Sequence, residues 1–220
     1  MRSLVLIACM FAAAATPAAA EPQTVFTPAS QSKLVLDGSS NVTDWQCSGT
    51  SLDGELTVAA PIEKINAVID RIEDGNIGVW MNDPSQGRFP APNFRLRVPI
   101  ESLRCGNAVM ERDMNRALKA DDHPAIEFRF IGVQGGIEHD IDSNVYRAKI
   151  AGELVLAGSR RNIELTIVAE RIGGNRFRIR ADMPLRMTDF GITPPTALFG
   201  MVRARNELMV RFDMTLQVRS

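Results

Sequence analysis

The dominant period along this chain is two. Over 207–218, Leu208, Val210, Phe212, Met214, Leu216 and Val218 fall on one face, and Met209, Arg211, Asp213 and Gln217 on the other. Strict alternation over about a dozen residues predicts a long strand with one buried face. The stretch 176–186 repeats the pattern, with Phe177, Ile179, Ala181, Met183 and Leu185 opposite four arginines and Asp182. Over 145–156, Tyr146, Ala148, Ile150, Gly152, Leu154 and Leu156 oppose Arg147, Lys149 and Glu153. Ile163, Leu165 and Ile167 alternate with Glu164 and Thr166, and Ile126, Phe128 and Phe130 with Glu127 and Arg129. Upstream the signal is shorter. Phe94, Leu96 and Val98 alternate with Arg95 and Arg97, 52–59 alternates weakly, and 33–37 and 41–46 flank Gly38-Ser39-Ser40. Gly173-Gly174-Asn175 is a hairpin turn signal. Residues 21–31 read as a loose leader, 83–93 as a Pro-bearing loop, Gly135-Gly136 as a loop and Glu138-His139-Asp140 as a turn.

Two segments change period. Ile62, Ile65, Val68, Ile69 and Ile72 recur every three to four residues after Pro61, which predicts a short amphipathic helix. In 107–119, Asn107 is a capping residue, Met110, Met114, Ala117 and Leu118 form one stripe, and Pro124 forbids continuation. The chain therefore reads as about eight antiparallel strands with one firm helix between the third and fourth. Strands of a dozen residues are about 40 Å long. Long, strictly amphipathic strands joined by short turns suit a closed up-and-down barrel. A membrane barrel also alternates, but it needs aromatic girdles, and 2 Trp, 1 Tyr and 10 Phe cannot supply them. The apolar face is expected to point inward, where an eight-stranded barrel is either filled by side chains or holds one small ligand.

Composition narrows the class. The 220 residues are 45% hydrophobic and 23% charged with a net charge of −1, which fits a globular domain and not a nucleic-acid surface. Of 25 basic residues, 21 are Arg. Residues 1–20 open on Met1-Arg2-Ser3, continue with an apolar run from Leu4 to Ala15, and end on Ala18-Ala19-Ala20. That is the pattern of a signal peptide cleaved after Ala20, too short to span a bilayer, and it predicts an exported, periplasmic protein starting at Glu21. A lipobox reading of Leu6-Ile7-Ala8-Cys9 is weaker, because five apolar residues before Cys9 are too few for insertion. The mature chain keeps two cysteines, Cys47 and Cys105, most simply one disulfide in an oxidising compartment. Two separate thiols are the rival reading. His123 and His139 sit in turn-like surroundings, and no metal site is expected from them. No nucleophile elbow, Ser/His/Asp order, zinc motif, phosphate loop or paired-carboxylate cleft is present, so an enzyme is not expected.

A family resemblance rests on four pieces in order. The first is the run from Met110 through Met114, Leu118-Lys119-Ala120, His123-Pro124, Ile126 and Phe128. It resembles the signature of the YceI-like family, a helix ending in LKA followed by P-x-I-x-F. Gly152-Glu-Leu154-Val-Leu156-Ala-Gly158 is similar to its G-x-L-T-x-x-G turn, with Val155 where Thr is usual. Thr188-Asp189-Phe190-Gly191-Ile192 resembles its T-D-F-G-I block, and Ser40 to Trp45 its first-strand S-x-V-x-D-W. The likeness spans about 33–218, with 60–92 unmatched like an insertion, so 21–220 reads as one domain. The resemblance implies an all-β, antiparallel, up-and-down eight-stranded lipocalin-like barrel with one or two short helices. It also implies an exported protein that binds a polyisoprenoid or similar long-chain amphiphile, without catalytic motif or cofactor.

On that reading the ligand-binding residues expected to line the interior are Trp45, Phe94, Leu96, Phe128, Phe130, Leu154, Ile179, Met183 and Phe212. Phe190 is expected near one end, and Met110 and Met114 cover the pocket from the helix. The expected function is an exported carrier, the expected partner an isoprenoid or other long-chain lipid, with no nucleic acid and no stable membrane insertion. Assembly as a homodimer stays open. The alternative is a stress-related structural or interaction protein whose barrel is filled.

Overall fold

The computed structural model describes residues 22–73, 91–140 and 142–219. The signal-peptide reading of 1–20, the start at Glu21 and most of the loop expected at 83–93 lie outside them. Eleven strands and two helices follow in chain order: β1 (Thr24–Pro28), β2 (Lys33–Ser40), β3 (Asp44–Gly49), β4 (Asp53–Val58), α1 (Ile62–Glu73), β5 (Asn93–Pro99), α2 (Ala108–Ala117), β6 (Ala125–Asp140), β7 (Val145–Leu156), β8 (Ser159–Gly173), β9 (Arg176–Arg186), β10 (Thr196–Ala197) and β11 (Val202–Val218). All pairings are antiparallel. The ring runs β1-β4-β5-β6-β7-β8-β9-β11 and closes where β11 returns to β1. Eight strands thus form a closed barrel. The β2–β3 hairpin continues the wall on the upper stretch of β11, pairing Leu36 with Val210 and Phe212 with Leu34.

The polar period builds the outside of this wall. Arg178 grips Asp213 on the neighbouring strand through two hydrogen bonds of 2.8 and 2.7 Å. Lys149 meets Glu164 at 2.6 Å, and Glu153 lies between Arg129 and Arg160 at 3.6 and 2.6 Å. Opposite charges on adjacent strands support pairing, each modestly because solvent screens them. The arginine-rich composition therefore reflects cross-strand ladders on the barrel exterior.

Four local expectations need correction. The leader is not loose. Thr24 and Phe26 are buried in β1, and the Thr24 hydroxyl donates to the Ala60 carbonyl at 2.7 Å. A five-residue strand ending at proline is too short to show a period. The first hairpin turns at 41–43 rather than at Gly38-Ser39-Ser40, because the Ser40 hydroxyl oxygen accepts from the Val42 and Thr43 amides. Gly38 lies inside β2, where the Trp45 indole covers it so closely that a Cβ there would fall 2.0 Å from the ring. The Gly135-Gly136 segment and His139 belong to β6. The strand keeps pairing with β7 through register shifts between Phe130 and Gly132 and between Gln134 and Ile137, which read in the sequence as breaks. The firm helix, α2, lies between β5 and β6.

The helices cover the two ends. In α2 the Asn107 side-chain oxygen accepts from the Met110 amide at 2.8 Å, capping the first turn. The Cys47–Cys105 disulfide joins β3 to the residues just before α2, and the Glu111 carboxylate accepts from the Cys105 amide at 3.1 Å. At the other end α1 turns Ile69 and Ile72 inward, while Asp70 and Glu73 meet Arg171 of β8 at 2.6 and 3.7 Å. No helix among the described residues is long and apolar enough to cross a membrane.

Candidate functional site: an apolar cavity in two lobes

Inward positions of the strands do not meet across the barrel axis. They leave two apolar spaces. The upper lobe, of about 290 Å³, lies under α2 and the β2–β3 and β10–β11 turns. The lower lobe, of about 350 Å³, lies over α1 among the lower halves of β6 to β9 and β11. Five residues line both: Leu96, Phe128, Leu154, Met183 and Phe212. They come from β5, β6, β7, β9 and β11, and Phe128 stands opposite both Leu96 and Leu154 in the register. This ring is a waist between the lobes. Gly152 sets its width, since a Cβ there would lie 2.2 Å from the Phe128 ring. A side chain at that position would force the ring off its seat against β7.

Of the twelve side chains expected to contact a ligand, eleven line this space. Trp45, Met110 and Met114 are in the upper lobe, Phe94, Phe130 and Ile179 in the lower, and the other five form the waist. Phe94 and Phe128 pack with centroids 6.2 Å apart and planes tilted by 53°. Phe190 lines neither lobe. It is buried in the turn after β9, where its carbonyl accepts from the Ser159 hydroxyl at 2.7 Å, and its neighbours Met187 and Ile192 face the upper lobe instead. Alternation ends at Arg186, so parity gives no guide to which turn residue points inward.

Sequence reasoning passed over several lining residues. Leu185 and Val210 of the upper lobe and Ile150 of the lower lobe share the parity of Met183, Phe212 and Leu154 on their own strands, whereas Leu34 and Leu36 of β2 and Leu165 of β8 lie on strands from which no contact is expected. Ile69 and Ile72 carried only a helical stripe, which does not say what it covers.

Polar groups are confined to the ends. In the upper lobe they are Ser40, Thr43, Asn107, Asp113 and Thr196 beside the Trp45 indole, all around the mouth. Asp113, the one ionisable lining side chain there, is paired with Arg116 at 3.2 Å. In the lower lobe only Tyr146 carries a polar atom among the described residues. Its hydroxyl donates to Glu73 at 3.0 Å, and burial together with that carboxylate pushes the phenol well above its ordinary value. His139 stacks on the Tyr146 ring at 4.5 Å. No group of three or more His, Cys, Asp or Glu among the described residues is disposed to hold a metal ion. The arrangement offers a long apolar space with hydrogen-bonding groups at its rim, which suits an amphiphile.

The same architecture occurs in solved structures. A polyisoprenoid binding domain from Saccharophagus degradans, implicated in plant cell wall breakdown, superposes with a TM-score of 0.60 at 11% identity, covering 88% of this chain and 98% of that one. Burkholderia cenocepacia BcnA gives 0.56 at 11% identity, over 84% and 96% of the two chains. At that identity the likeness concerns the fold. No curated protein matches the sequence. The model of the YceI-like domain matches residues 50–216, from the loop between β3 and β4 to the lower end of β11. The chain belongs to the YceI-like domain family.

Proposed function

We propose that this protein is an exported carrier that holds one polyisoprenoid or similar long-chain amphiphile along the barrel axis, with the polar end at the mouth beside α2. The observation that carries the reading is the pair of apolar lobes meeting at one waist, with polar lining side chains only at the ends. Each methylene transferred from water into such a space gains about 0.8 kcal/mol before ordering costs, so chain length dominates affinity and headgroup contacts are secondary. The polyisoprenoid-binding domain of similar fold supports the ligand class. The apolar run and Ala18-Ala19-Ala20 support cleavage of residues 1–20 and a mature, single-domain protein of the periplasm.

The test is uptake of an apolar fluorescent probe and its displacement by a long-chain polyprenyl amphiphile. Wild type takes up the probe and releases it to the amphiphile. Phe128→Arg puts a guanidinium at the waist, where its long stem can run towards the mouth. The variant stays folded by circular dichroism and takes up neither compound. A wild-type protein that refuses both has a filled barrel, and the carrier reading fails.

A further inference from the structure

Five exposed large apolar side chains flank the mouth of the upper lobe. Val42 sits between the mouth residues Ser40 and Thr43, and Val109 lines the mouth from the first turn of α2. Leu198, Phe199 and Met201 form the tip between β10 and β11, whose bases Ala197 and Val202 also line the lobe. The two turns are tied together, because the Asn41 side chain donates to the Met201 carbonyl at 2.8 Å and accepts from the Arg203 amide at 2.7 Å. Leu198 and Phe199 both have left-handed backbone, with φ of 50° and 56°. Two successive non-glycine residues in that region are strained, and the conformation holds the Phe199 ring fully in solvent.

Basic side chains surround this tip. Arg203 and Arg205 alternate with Val202 and Ala204 and so project outward from the wall just below the mouth, and Arg112 stands one turn after Val109 on α2. None of the three has a carboxylate within ion-pair distance among the described residues, and the exposed Asp44, the first residue of β3, is an opposing charge beside the neighbouring turn. Asp113 is neutralised by Arg116. The Arg203 guanidinium donates to the Gly200 carbonyl at 2.8 Å, which holds it against the tip with its charge unneutralised. An apolar tip bordered by guanidiniums without ion pairs is complementary to an anionic lipid surface, where rings enter the acyl boundary and arginines stay among the phosphates.

We infer that the rim formed by the β2–β3 turn, the start of α2 and the β10–β11 tip docks on an anionic bilayer, setting the mouth of the cavity against the membrane. The contact is peripheral and reversible. It goes beyond the proposed carrier function and does not depend on which chain the cavity takes.

Flotation of the purified protein with vesicles tests this, using phosphatidylcholine alone and phosphatidylcholine containing phosphatidylglycerol, neither holding isoprenoid. Wild type floats with the phosphatidylglycerol vesicles, and added salt weakens the association. Phe199→Ser lowers partitioning by about tenfold or more, as expected for withdrawing one aromatic side chain from an apolar phase. Arg203→Gln with Arg205→Gln removes most of the salt dependence. Circular dichroism and uptake of the apolar probe, unchanged in these variants, separate loss of docking from loss of fold or cavity. Wild type that floats with neither vesicle overturns the proposal, as does Phe199→Ser that floats like wild type. A wild-type dimer on size exclusion that Phe199→Ser dissociates, without vesicle binding, assigns the tip to self-association and also overturns it.

Discussion

Tyr146 is the only tyrosine in the chain, so its phenol reports on the lower end of the cavity without interference. Burial and the hydrogen bond to Glu73 favour the neutral form over the ordinary value of 10.0. In an ultraviolet titration the folded protein therefore shows less tyrosinate than free tyrosine at the same pH, and denaturant releases the signal. The proton is held more tightly in the folded state, so this contribution to stability is intact below pH 10 and lost as pH rises through the folded value. Glu73→Gln lowers the pH at which the phenol ionises. At the upper end, Cys47 and Cys105 close a loop with a sequence separation of 58. Reducing the bond is expected to cost about 4 kcal/mol in the chain-entropy model, read as a lower denaturation midpoint, and thiol titration of the unreduced, denatured protein finds no reactive equivalent. The pairing was legible from export and cysteine count alone. The role of Tyr146 was not, because its partner lies on α1 and sequence parity says nothing of contacts between a helix and a wall.

At the scale of elements, the long strands were legible because β7, β9 and β11 bury one face and solvate the other over most of their length. Elements that bury few residues were not. β1 contributes two buried side chains, Thr24 and Phe26, yet it completes the ring. The waist could not be read either. Leu96, Phe128, Leu154, Met183 and Phe212 were each expected inside, but their common height depends on strand stagger, which alternation does not encode. The waist makes a specific prediction about ligand length. Met183→Trp overfills the ring and is expected to cost about 1–3 kcal/mol of stability. It leaves the upper lobe open and closes the way to the lower, so a short polyprenol still displaces the probe while a long one loses affinity. Equal losses for both lengths would show that the lobes are not filled in series.

For the whole molecule, the closed ring of eight strands places charge ladders outside and leaves apolar parity facing a space that side chains do not fill. The class of fold followed from this parity and the family from four short motifs. The division into two lobes depends on strand stagger and the apolar rim on which turns meet across the mouth, and alternation encodes neither. The central claim is that this space carries a long apolar chain. Mass spectrometry of lipid extracted from the protein purified from its own host tests it most directly. The account predicts about one polyisoprenoid or similar long-chain amphiphile per protein, absent from Phe128→Arg prepared in parallel. A wild-type protein that yields no lipid, and takes up no long-chain polyprenol when offered it, would contradict the account.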